Sequence, residues 1–188
     1  MSQELKKTES GLVAKADFNS LMGKLYHLDK ALLLDTSYSM TSVVESLDSQ
    51  PVRAIDNLRT LAEEFRHLRK FSFNSTITEI GGWVPEPSGG TNLAKAFRYV
   101  KEQGCKQVVL ITDGQPDSPE DALYEARGLH VDIYYIGPQP CPDFVHQLAL
   151  QCGGTVGQSD LTSENIKQIG QTIAGYLEGG TDESKICL

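Results

Sequence analysis

Two short apolar runs in this chain each end in an aspartate, and that pairing limits the folds open to it. Ala31-Leu32-Leu33-Leu34 runs into Asp35, and Val108-Val109-Leu110-Ile111-Thr112 runs into Asp113-Gly114. Compact apolar stretches closed by turn formers fit strands buried on both faces, as in a parallel sheet covered by helices. Between and after them lie stretches with apolar residues at helical spacing. Val52, Ile55, Leu58, Leu61, Ala62, Phe65 and Leu68 form one; Leu93, Ala96, Phe97 and Val100 form another; Ile166, Ile169, Ile173 and Leu177 form the last. This alternation predicts an α/β, doubly wound, mostly parallel six-stranded sheet with helices on both faces.

The remaining elements follow from local signals. Pro51 suits the first turn of a long helix over about residues 50–68. Lys70 to Phe73 and Thr76 to Ile80, joined by Asn74-Ser75, predict a tight hairpin that places one antiparallel strand on the sheet edge. The helix opened by Thr91 ends near Gly104, and a strand over 107–112 follows. Ser118-Pro119-Glu120-Asp121 resembles a capping box and starts a helix that stops at Gly128. A strand from Val131 to Ile136, a helix from Pro142 to Cys152 and a short strand near Thr155-Val156 lead to the last helix. The segment Thr41 to Gln50 is expected to hold a short extra helical turn. Residues 1–27 are expected to be an N-terminal extension, with a loose start and a short helix over 17–27 carrying Leu21, Met22 and Leu25. Residues 28–178 form the domain, and 179–188 a flexible tail.

Chemistry concentrates at the two aspartates. Ser37 and Ser39 stand two and four residues after Asp35, so a chain that stays extended off its strand turns all three side chains one way. Thr91 lies at a helix N-terminus, and Asp113 at a strand end. Two carboxylates and three hydroxyls are the oxygen donors that a hard divalent cation takes, and such ions keep open positions for water or a partner's ligand. In open α/β sheets the carboxyl edge of the strands is where ligands bind.

The set Asp35-x-Ser37-x-Ser39, then Thr91, then Asp113 resembles the metal-ion-dependent adhesion site of the von Willebrand factor A family, with Met40 after the first part and Gly114 after the last. The resemblance spans roughly residues 28–178. It implies that Asp35, Ser37, Ser39, Thr91 and Asp113 hold a divalent cation, the hydroxyls directly and the aspartates often through water. It also implies that a Glu or Asp of a partner protein fills the open position, as in an adaptor of a multiprotein assembly. Small, closely spaced hydroxyl ligands favour Mg²⁺ or Mn²⁺, with Ca²⁺ as a further option. Tyr38 and Trp83 are aromatic candidates for the rim of such an interface. Glu45, Asp48 and Asp117 read as solvated surface.

Composition excludes other classes. The net charge of −8 offers no basic face for phosphates, which argues against nucleic acid. No apolar run approaches the roughly 20 residues that span a bilayer, and no apolar stretch follows Met1 to Lys7 as in a secretory leader, so a cytoplasmic protein off the membrane is expected. Cys105, Cys141, Cys152 and Cys187 lack zinc-ligand spacing, with Cys141 and Cys152 the pair whose proximity matters. The histidines are scattered singly.

Two rivals remain. Haloacid dehalogenase-like phosphotransferases also place an Asp after the first strand, and Asp113 with Asp117 imitates their later acidic pair. Their mechanism needs a second carboxylate two residues after the first, where this chain has Ser37. The other rival is a metal-free scaffold of the same fold.

Overall fold

The computed structural model describes residues 29–65, 68–137 and 140–178. The expected N-terminal extension with its helix, and the tail after 178, lie outside them. Along the chain run β1 (Lys30–Asp35), a 3-10 turn (Tyr38–Thr41), β2 (Val43–Leu47), β3 (Gln50–Arg53), α1 (Ala54–Glu64), β4 (Arg69–Phe73) and β5 (Ile77–Ile80). They are followed by α2 (Leu93–Glu102), β6 (Gln107–Thr112), α3 (Pro119–Glu125), β7 (His130–Tyr135), α4 (Asp143–Cys152), β8 (Val156–Gln158) and α5 (Ile166–Glu178).

A six-stranded sheet has the order β5-β4-β1-β6-β7-β8, parallel throughout except for the antiparallel edge pair β4–β5. The doubly wound sheet with one antiparallel edge strand is therefore present. Its centre is β1, every residue of which is buried. Alternation sorts its side chains between two cores. Leu33 joins Phe71, Phe97, Val100, Leu110, Ile133 and Leu148 under α2, α3 and α4. Leu32 and Leu34 join Ile55, Leu58, Leu61, Val109, Ile169 and Ile173 under α1 and α5. Burying a leucine of this kind contributes about 1.5–3 kcal/mol, and this central strand carries three of them.

The segment after the first motif departs from expectation. Thr41 to Gln50 does not hold an extra helical turn; the only helical geometry nearby is the 3-10 turn that ends at Thr41. Instead β2 and β3 form a separate two-stranded hairpin in which Leu47 faces Gln50 across Asp48-Ser49. Both loop residues take positive φ, 48° and 64°, as a tight turn matched to the strand twist requires. Pro51 consequently lies in β3, and the helix expected over 50–68 shortens to Ala54–Glu64. Its start is fixed by Asp56, whose carboxylate accepts from the Arg53 backbone N–H at 3.2 Å and from the Arg53 guanidinium at 2.9 and 3.0 Å. Glu45 anchors the hairpin to the body by accepting from Asn57 Nδ2 of α1 and from Ser163 N ahead of α5.

Candidate metal centre

β1 and β6 are hydrogen-bonded neighbours in parallel register, so the loops that leave their carboxyl ends emerge side by side. Asp35 is the last residue of β1 and Asp113 the first after β6. Ser37 keeps extended backbone (φ −66°, ψ 165°) and the chain then coils into the 3-10 turn. That turn brings Ser39 back, its hydroxyl 3.0 Å from that of Ser37. The Ser39 hydroxyl in turn donates to Asp113 Oδ1 at 2.8 Å. Asp35 accepts from the Ser37 N–H at 2.9 Å and from the Thr112 hydroxyl at 2.6 Å. Four of the five expected ligands thus form one hydrogen-bonded cluster.

Thr91, the fifth, comes from the loop before α2. This loop is stitched to the first motif: Ser88 N donates to Thr36 O at 2.9 Å and Tyr38 N to Gly89 O at 3.1 Å. Thr91 precedes the helix rather than opening it. Asn92 is the N-cap, its side chain accepting from Lys95 N at 3.1 Å.

The electrostatics are those of two crowded anions. Burial raises the Asp35 carboxyl to about 6, and the charge of Asp113 adds to the rise; the bonds from Ser37 and Thr112 work against it. Burial also raises the Asp113 carboxyl, opposed by the Ser39 hydroxyl. The donor chemistry therefore fits a small divalent cation, which would relieve this repulsion. The centre has oxygen donors alone; among the described residues no group of three or more His, Cys, Asp or Glu side chains gathers as a metal cluster.

Neither a protein-family model nor a curated protein matches the sequence. Similarity to solved structures is clear. The hypothetical protein BatB from Bacteroides thetaiotaomicron aligns over 79% of this chain and 98% of its own at 15% identity, with a TM-score of 0.54. A von Willebrand factor type A protein from Catenulispora acidiphila aligns over 79% of this chain and 42% of its own, again at 15% identity, with a TM-score of 0.55.

The fold is of the von Willebrand factor A type.

On this von Willebrand factor A-type sheet the two rim candidates are both exposed, at 69% each, but stand in different settings. Tyr38 lies between the two serines. Trp83 has the Arg59 guanidinium over its ring at 4.6 Å and lines a cleft of about 240 Å³ with Thr36, Ser72 and Glu86. Glu86 joins Arg53 and Arg59, so this side of the rim is tied to the base of the hairpin. Glu45 is half-buried and holds the hairpin, and Asp117 is exposed, as its sequence context suggested, yet accepts from the backbone N–H of Thr91. An Asp four residues after Asp113, opposite the Gly89-Gly90 pair, was the available signal for the second. Among the described residues, Cys105, Cys141 and Cys152 form no disulfide. Among the described residues, no helix is long and apolar enough to cross a membrane.

Proposed function

We propose that this chain is a metal-dependent protein-docking module: Asp35, Ser37, Ser39, Thr91 and Asp113 hold a divalent cation, Mg²⁺ or Mn²⁺, to which a partner protein presents an Asp or Glu. The observation that carries this reading is the continuous cluster from Asp35 through Ser37 and Ser39 to Asp113, with burial and then the Asp113 charge opposing the ionisation of Asp35.

When bound, the ion supplies a concentrated positive charge able to take an external carboxylate. The protein's own groups do the rest. Asp35 and Asp113 balance the ion's two charges, which leaves the centre no electrostatic need for a third protein carboxylate. Thr112 and the Ser37 N–H orient Asp35, and Ser39 orients Asp113, much as outer-shell groups fix ligands in metal sites generally. Ser37 stands where a phosphotransferase of the rival kind would need its proton-donating carboxylate, so the group that would protonate a leaving group is missing from that position. A role as an adaptor in a larger assembly is part of the same proposal.

The test is calorimetric titration of the full chain with Mn²⁺, with and without acetate as a stand-in for the partner carboxylate. The expected result is binding that tightens with acetate and weakens in Asp35→Ala and Asp113→Ala. Absence of Mn²⁺ binding at millimolar concentrations in both conditions would sink the proposal. Mg²⁺-dependent hydrolysis of a phosphate monoester, abolished by Asp35→Ala, would transfer the reading to the phosphotransferase.

A further inference from the structure

Asp35 and Asp113 sit at strand ends, where the sheet ladder fixes the backbone. Thr91 sits in a loop, and a loop ligand is only as well placed as its main chain. Three consecutive N–H groups of this loop are each taken. Gly90 N donates to Ser75 Oγ at 2.9 Å, Thr91 N to Asp117 Oδ1 at 3.0 Å and Asn92 N to Asn74 O at 2.9 Å. Asp117 also returns its contact, its own N–H donating to Thr91 O at 3.0 Å. Residues 91 and 117 are therefore closed into a ring by two hydrogen bonds that run in opposite senses.

Gly90 contributes to the same arrangement. A Cβ at position 90 would lie 2.8 Å from each carboxylate oxygen of Asp117, so a hydrogen there is what lets the carboxylate approach the Thr91 backbone. Asp117 has no competing local duty in capping α3. That helix begins with Pro119 after the N-cap Ser118, and the Ser118 hydroxyl turns to Asp121 at 2.8 Å.

We infer that Asp117 is a positioning residue of the metal centre, holding the main chain of Thr91 so that its hydroxyl is presented to the ion, without itself being a ligand. This rests on the proposed metal-dependent docking function. Outer-shell residues of this kind typically change metal affinity by about 10–100-fold when removed.

The experiment measures Mn²⁺ affinity of the full chain, wild type against Thr91→Ala, Asp117→Ala, Asp117→Asn and the double variant Thr91→Ala with Asp117→Ala. Asp117→Ala is expected to weaken Mn²⁺ binding about tenfold. Asp117→Asn, which keeps an oxygen acceptor for the Thr91 N–H, should restore most of that loss. The double variant should bind little worse than Thr91→Ala alone, because a positioning residue has nothing left to position. Asp117→Ala with wild-type affinity, where Thr91→Ala weakens binding, would overturn the inference. So would an Asn variant that loses as much as the Ala variant, since the charge itself would then be acting on the ion. If Asp117→Ala does not fold, the Asn variant decides alone: near wild-type affinity supports positioning, and a tenfold loss in a folded protein overturns it. Failure of the underlying function looks different, with Asp35→Ala and Asp113→Ala also leaving Mn²⁺ binding unchanged.

Discussion

Ser39 donates its hydroxyl to Asp113 Oδ1 at 2.8 Å, joining the loop after β1 to the loop after β6 across a sequence separation of 74 residues. The bond lies at the surface, so its removal tests ligand geometry more than folding. Ser39→Ala is expected to weaken Mn²⁺ binding by about tenfold or more. Its cost to the stability of the metal-free protein should be about 0.5 kcal/mol or less. Calorimetry and urea denaturation in EDTA separate the two. A variant that binds Mn²⁺ as wild type does would remove Ser39 from the centre.

The crowded carboxylates predict a pH dependence with a definite sign. The Asp35 carboxyl stands at about 6 in the folded protein against an ordinary 3.8, so the native state binds a proton more tightly than the unfolded chain does. Metal-free stability should fall as pH rises from about 3.8 to about 6, by on the order of 3 kcal/mol from this group, and then level off. A cation removes the repulsion. The rise in melting temperature on adding saturating Mg²⁺ should therefore be larger at pH 7.5 than at pH 5. Equal shifts at the two pH values would contradict the assignment.

The hairpin gives a third expectation. Glu45 accepts from Asn57 and Ser163, and these bonds, the Ser163 hydroxyl foremost, hold its carboxyl below the usual range. Glu45→Ala should free the hairpin without disturbing the sheet. Hydrogen exchange of amides in residues 43–53 should accelerate about tenfold, with β1 and β6 unaffected. Glu45→Gln, which keeps an acceptor oxygen, should lie near wild type. Uniform acceleration across the whole domain would show that the hairpin is part of the global fold.

Gly137 provides the fourth. A Cβ there would stand 2.0 Å from Asp113 O and 2.4 Å from the Tyr135 hydroxyl, so backbone must move. Gly137→Ala should destabilise the protein by about 1–3 kcal/mol and displace the loop that carries Asp113. The folded fraction should bind Mn²⁺ more weakly. Full affinity in the folded fraction would show that Asp113 tolerates the shift.

The central sheet was legible because its strands are apolar runs whose ends are marked. β6 spans 107–112 as its sequence suggested, closed by Asp113-Gly114. The hairpin was not legible. Its turn uses Asp48-Ser49 in positive φ without a glycine, and Pro51 imitates a helix start while occupying a strand. At the site, the residues that offer oxygen donors through a compact motif were readable, and the structure gathers Asp35, Ser37, Ser39 and Asp113. The longer-range acceptors were not: Asp117, which takes the Thr91 N–H, and Glu45, which ties the hairpin to Ser163, reach residues 26 and 118 positions away, which leaves no periodicity to find.

The adjacency of β1 and β6 has a consequence for how such a centre responds to substitution. Parallel neighbours are spaced about 4.8 Å apart by their ladder of backbone hydrogen bonds. The ladder pairs Leu34 with Ile111, one residue before Asp35 and two before Asp113, so the main chain sets the spacing from which both loops start. Replacing either aspartate should therefore leave the two strand ends side by side, with only the side chain lost.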